Sequence, residues 1–169
     1  MKILEAKQVR ELDRRTIETA GIPGSILMER AGKGAAHEIL SFIKKNITRK
    51  IRRVIIIAGK GNNGGDGYVL ARAIAQERED LDLKIFSICP LDELKGDAAF
   101  HASRIPLSVK CEFRKKLLPS DFPRDSIVID ALLGTGLSGH PEGETAEWIK
   151  ILNDSKLPVF SLDVPSGLD

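Results

Sequence analysis

The chain of 169 residues carries 26 basic and 24 acidic side chains, a formal net charge of +2, 42% hydrophobic residues and 5% aromatic ones. A near-neutral chain of this size can bury a core without disulfides or a structural metal, and it lacks the basic excess of a nucleic-acid or membrane-surface binder. No apolar run approaches the ~20 residues of a membrane span, and the opening Met1-Lys2-Ile3-Leu4-Glu5 has no secretory pattern, so one cytoplasmic globular domain over 1–169 is expected.

The first predicted helix covers 5–20, with Val9, Leu12, Thr16, Ile17 and Ala20 on one stripe and Arg10, Glu11, Arg14, Arg15 and Glu18 largely off it. Gly21 supplies its stop. Ser25 is placed to cap a second helix, on which Met28, Ala31, Ala35, Ile39 and Phe42 recur at helical spacing. Gly32, Gly34, Ala35 and Ala36 make this helix small-sided, fit for close approach to the sheet or to a second subunit. The basic run over 44–53 reads as a solvated connection.

Val54-Ile55-Ile56-Ile57-Ala58 is continuously apolar rather than alternating, the pattern of a central parallel strand covered on both faces. It feeds into Gly59-Lys60-Gly61-Asn62-Asn63-Gly64-Gly65-Asp66-Gly67, read as a loop, and then a helix over 68–78 with Asp66 or Gly67 near its start. Further strands are expected over 83–88, 110–113, 126–130 and 158–162, and further helices over 98–104 and 144–152. This alternation predicts an α/β fold with an open, mostly parallel, doubly wound sheet and helices on both faces.

Ligands of such sheets bind outside the carboxyl ends of the strands, which directs attention to three segments: 59–67, 130–140 and Asp163-Val164-Pro165-Ser166-Gly167. Glycines there let backbone N–H groups approach a phosphate, and a following helix adds its dipole, although tight turns need glycine for conformational reasons too. Neither common nucleotide motif is present. No acidic residue ends the second strand, which runs into Cys89-Pro90, and Lys60 lacks the spacing and the following Ser or Thr of a P-loop.

Asp130 and Asp163 close apolar strands, where a carboxylate needs a cation, a hydrogen-bond donor or a reacting proton. Asn63, Asp130 and Ser166 together offer oxygen ligands of low total charge, suited to a weakly held hard cation rather than zinc. Cys89 and Cys111 stand far apart and read as small buried hydrophobes, His37 and His101 as surface or core-edge residues, and Trp148 as helix packing.

The segments Gly59 to Gly67, Asp130-Ala131-Leu132-Leu133-Gly134-Thr135-Gly136 and Asp163-Val164-Pro165-Ser166-Gly167-Leu168-Asp169, with Leu27-Met28-Glu29-Arg30-Ala31-Gly32, resemble the motifs of the YjeF N-terminal domain family, the NAD(P)HX epimerases. The resemblance covers essentially the whole chain. It implies a Rossmann-like three-layer αβα sandwich that interconverts the R and S epimers of hydrated NADH or NADPH, beside an ADP- or ATP-dependent dehydratase that consumes the S form. By motif it implies that Asn62, Asn63, Gly64, Gly65, Asp66, Gly134, Thr135, Gly136, Leu137, Ser138, Gly139, His140 and Asp163 contact the hydrate. It further implies a potassium ion on Asn63, Asp130 and Ser166, and a homodimer. Family members continue past Asp169 with a further strand and helix, so a domain lacking that segment is expected. Some carry the same domain as a non-catalytic nucleotide- or partner-binding scaffold module, the alternative reading.

The epimerised carbon of that substrate bears both a hydroxyl and the ring nitrogen. Its configuration is lost by expelling hydroxyl to an iminium ion and readding water, or by opening and reclosing the ring, and either route moves protons on oxygen. Asp163 is the first choice for the acid/base residue and Asp66 the second.

Overall fold

In the computed structural model, which describes residues 6–47, 50–136 and 139–168, the apolar run at 54–57 forms the middle of the sheet. Strand β1 (Arg53–Ala58) pairs in parallel with β2 (Asp82–Ser87) on one side and β4 (Ser126–Ala131) on the other. Strands β3 (Lys110–Phe113) and β5 (Val159–Ser161) extend the sheet to the order β3-β2-β1-β4-β5, every pair parallel. The helices are α1 (Ala6–Glu18), α2 (Gly24–Asn46), α3 (Asn62–Glu77), α4 (Gly96–Ala102) and α5 (Gly143–Asp154).

Successive residues of a strand face opposite ways, and β1 shows why it had to be apolar throughout. Val54, Ile56 and Ala58 join a core with Tyr68, Leu70 and Ile74 of α3, whereas Ile55 and Ile57 join a second core with Phe86, Val128 and the α5 residues Trp148 and Leu152. Each fully buried isoleucine contributes roughly 1.5–3 kcal/mol. The result is the expected Rossmann-like αβα sandwich, and Trp148 packs in the helix layer as read from the sequence. No helix of the described residues is long and apolar enough to cross a membrane.

Several local expectations are corrected. Helix α3 starts at Asn62, with Gly61 as N-cap, so Asn62 to Gly67 are its first turns rather than a loop, and neither Asp66 nor Gly67 caps it. Glycine is required there by packing: a methyl at Gly64 would overlap the Gly59 carbonyl, and one at Gly67 would lie 2.8 Å from Ala131 Cβ. Ser25 lies inside α2, whose N-cap is Pro23 without a side-chain bond; the Pro23 carbonyl instead accepts the Ile26 N–H at 2.9 Å. At Gly32 the small face of α2 presses on Val69 of α3 rather than on the sheet. The apolar stripe of α1 is not seated, with Val9, Leu12 and Ile17 all exposed. The basic run is only partly a solvated connection, since Lys44 and Lys45 complete α2, Ile51 is buried and Arg53 pairs with Asp125 at 2.5 Å. The two thiols are half-buried, and burial pushes Cys111 up to about 11.

His37 is exposed, but His101 is buried rather than surface or core-edge. Its Nε2 lies 3.0 Å from the Ser25 carbonyl and its Nδ1 faces Glu29 3.6 Å away. Glu29 also pairs with Lys33 at 2.9 Å and with Arg72 of α3, which is largely buried. Burial pushes the Glu29 carboxyl up, but Lys33, Arg72 and His101 outweigh it and hold the group below its ordinary range. Glu29 thus clamps α2 to α3 and α4. Replacing it by alanine strands the Arg72 charge and is expected to cost about 2 kcal/mol in urea unfolding; a change below about 0.5 kcal/mol, typical of surface substitutions, would contradict the clamp.

Candidate active site

Parallel strands aim their carboxyl ends at one edge, and the strand order sets out what meets there: 88–93 after β2, 59–63 after β1, 132–136 after β4 and 162–163 after β5. Together with one side of α1 they enclose a cavity of about 1060 Å³. Its lining includes Asn62, Asn63, Asp66, Gly134, Thr135, Gly136 and Asp163. Gly64 and Gly65 are buried behind this wall, where Gly65 abuts Met28. Gly139 and His140 are exposed and lie outside the lining, and Leu137 and Ser138 lie outside the described residues.

Asp163 adopts φ 62°, the left-handed region that few residues other than glycine occupy. This turn presents its carboxylate to the loop after β4, where Oδ2 accepts the Thr135 N–H at 2.7 Å. The same oxygen would lie 2.6 Å from a methyl at Gly134, so a side chain there would displace it. On the other side of Thr135, its carbonyl accepts a bond from Arg10 Nη1 at 2.7 Å, tying α1 to the loop.

Asp66, one turn into α3, is only partly exposed. Burial pushes its carboxyl up to about 7, reinforced by the negative charges of Asp163 and then Asp13. A group with that proton affinity is half protonated at neutral pH and can give or take a proton there.

Beneath the cavity floor, Asp130 is 2% exposed and held by four hydrogen bonds. Its carboxylate accepts from Ser166 Oγ at 2.6 Å, Ser166 N–H at 2.9 Å, Ser161 Oγ at 3.1 Å and Leu132 N–H at 3.2 Å. Asn63 Nδ2 donates to the Leu133 carbonyl at 2.7 Å, and Ser166 Oγ accepts the Leu133 N–H at 2.9 Å. The three residues read from the sequence as an oxygen set therefore meet around Leu133. Asn63 Oδ1 is buried without a hydrogen-bond partner, an arrangement that costs free energy unless a ligand meets it.

Sequence reasoning missed Arg10, placed off the apolar stripe of α1, and also Asp13, Glu93 and Thr145, all in the cavity lining; Lys60 joins them there from within the segment 59–67. The one available signal was the position of Arg10 and Asp13 a helical turn apart, which a solvent-facing charge pattern reproduces equally well.

Fold and cavity together define a class: a Rossmann-like α/β domain whose crevice, at the carboxyl edge of a parallel sheet, is walled by glycine-rich loops and a carboxylate pair. Residues 24–169 match the model of the family described as YjeF-related protein N-terminus. The NAD(P)H-hydrate epimerase of Elusimicrobium minutum is 37% identical over all of this chain and 77% of its own length, and that of Pirellula staleyi is 31% identical over 99% and 73%. The bifunctional NAD(P)H-hydrate repair enzyme of Thermofilum pendens is 34% identical over 99% of this chain and 32% of its own length. The crystal structure of yeast YNL200c superposes with a TM-score of 0.81 at 24% identity, over all of this chain and 72% of that one, and shows the same fold. The chain belongs to the YjeF-related N-terminal family.

Proposed function

We propose that this chain is an NAD(P)H-hydrate epimerase of the cytoplasm, acting on hydrated NADH or NADPH in concert with an ADP- or ATP-dependent dehydratase. The relatives named as epimerases, and those named as bifunctional repair enzymes, support this reading. The observation that carries it is the pairing of two carboxyls in one cavity, Asp66 pushed up to about 7 and Asp163 supplying negative charge beside it. A carboxyl able to hold or release a proton near neutral pH, beside a second carboxylate, is what acid/base exchange at a hemiaminal carbon needs.

In the proposed step Asp66 gives its proton to the departing hydroxyl. The C–O bond breaks, water leaves, and the ring nitrogen lone pair forms the C=N bond of an iminium ion. Water then adds to the opposite face, the C–O bond reforms, and the released proton returns to Asp66. The Asp163 carboxylate opposes the positive charge of the iminium and keeps Asp66 protonated. Backbone amides of the loops after β1 and β4 orient the dinucleotide. The test is the approach of pure S-NADPHX to its R/S equilibrium, followed by NMR with the uncatalysed rate subtracted. Acceleration that is reduced, not abolished, in both Asp66→Asn and Asp163→Asn is expected; none by the folded wild type would overturn the reading.

The oxygen set around Leu133 fits potassium. Asn63 Oδ1 is buried and unpartnered, Asp130 contributes a single charge and Ser166 a neutral oxygen, a combination suited to a weakly held monovalent cation. Bound there, the ion supplies fixed positive charge near the substrate phosphates. Potassium chloride is expected to raise the melting temperature above that in choline chloride of equal ionic strength, and identical melting in the two salts would contradict the site. A homodimer is the proposed assembly, for which exposed Leu12, Ile17 and Phe42 offer apolar surface.

A further inference from the structure

We infer that Glu93 makes this cavity selective for the hydrate of NADH over that of NADPH, by meeting the adenosine ribose where NADPH carries its 2′-phosphate; the inference rests on the epimerase reading of the same cavity. The cavity runs from the end of β2 to the end of β5, three strand spacings or about 14 Å, a span on the scale of an extended dinucleotide. The reacting ring is fixed at one end, because Asp66 and Asp163 face the cavity from α3 and from the loop after β5. The middle is the start of α3, where Gly61 caps without a side-chain bond and leaves the first amides to a diphosphate. The remaining half of the dinucleotide then lies over the end of β2, against Ile88, Cys89 and Glu93.

Glu93 ends a short 3-10 turn, Leu91–Glu93. Its own N–H bonds to the Pro90 carbonyl at 3.1 Å, and the next residue, Leu94, is buried in the core, so the backbone that carries the carboxylate is anchored. Among the described residues Glu93 joins no ion pair. In doubly wound folds a carboxylate beyond the second strand accepts hydrogen bonds from a ribose 2′-hydroxyl and repels a 2′-phosphate. Glu93 occupies that place from a turn six residues past β2, not from the strand end where the sequence shows none. Lys60, a cation of the same lining, stands on the loop after β1, where the diphosphate falls.

The test separates binding from turnover. Calorimetry with ADP-ribose and 2′-phospho-ADP-ribose is expected to show the wild type preferring ADP-ribose by about tenfold or more, and Glu93→Gln bringing the two within about threefold by improving the phosphorylated ligand. Epimerisation kinetics on NADHX and NADPHX should show the same change, chiefly in KM. Equal or reversed affinities in the wild type, an unchanged ratio in Glu93→Gln, or no binding of either probe would overturn the inference. If the binding ratio holds but neither hydrate is epimerised faster, the epimerase reading fails while the role of Glu93 in dinucleotide selection stands.

Discussion

Asp66→Asn lowers the epimerisation rate about 10²–10⁴-fold, the range spanned by positioned general acids and bases, while the protein stays folded. The loss is expected in the rate on bound substrate more than in KM, because the amide keeps the shape and hydrogen-bonding reach of the carboxyl. The pH dependence has a definite sign. With Asp66 at about 7 in the folded protein, the acid form declines as pH rises through 7, so activity falls on the alkaline side. Removing the neighbouring charge by Asp163→Asn lowers the proton affinity of Asp66, and the alkaline limb moves to lower pH. Stability follows the same group. Its folded value is raised above the ordinary carboxylate value of 3.8, so the folded state holds the proton more tightly and loses stability as pH rises from about 4 to about 7. Asp66→Asn removes this penalty and should stabilise the protein at pH 8 by on the order of 3 kcal/mol, with the gain vanishing near pH 4. Urea melts at the two pH values read it directly, and an unstabilised variant at pH 8 would contradict the burial of this carboxyl.

The second large effect is structural. Gly64→Ala places a methyl on the backbone carbonyl of Gly59, and Gly59→Ala places one on the carbonyl of Leu132. Neither carbonyl is the end of a flexible side chain: Gly59 N–H bonds to the Ala131 carbonyl at 3.0 Å, joining the ends of β1 and β4. The overlap can be relieved only by moving α3, which carries Asn63, or the loop that carries Gly134. Each substitution is expected to destabilise by about 3 kcal/mol or more, above the ordinary cost of overpacking. Gly34→Ala is the matched control. A methyl there meets nothing within 4 Å in the middle of α2, so a gain of about 0.5–1 kcal/mol is expected from helix propensity. Equal small effects at Gly34 and Gly64 in urea unfolding would show that the backbone contact at 64 does not exist.

The parts of the fold legible in the sequence are those fixed by burial pattern. The unbroken run at 54–58 could only be an interior parallel strand, and 110–113 and 126–130 emerge within a residue of their observed bounds. What stayed hidden depends on contacts remote in sequence. The string Gly59 to Gly67 has loop composition, yet from Asn62 onward it is helix, because its glycines answer to Gly59, Met28 and Ala131 packed against them. His101 looks like a surface residue of a short helix until α2 brings Ser25 and Glu29 to it. The site shows the same division. Asp130 and Asp163 were visible because carboxylates at the ends of apolar strands need partners, and Asn63 and Asp66 because they stand in the glycine-rich segment that resembles the family motif. Arg10, Asp13 and Glu93 were not, since an exposed charge on a helix or turn looks the same whether it faces solvent or a cavity.

The claim on which the mechanism depends is that one carboxyl of the pair remains half protonated at neutral pH. Carbon-13 NMR titration of the aspartate side-chain carboxyls, with Asp66 assigned by its absence in Asp66→Asn, measures this directly. A midpoint near 7 for Asp66 that moves down in Asp163→Asn is the predicted result. A midpoint at the ordinary aspartate value of about 4 would remove the proton donor and contradict the proposed chemistry.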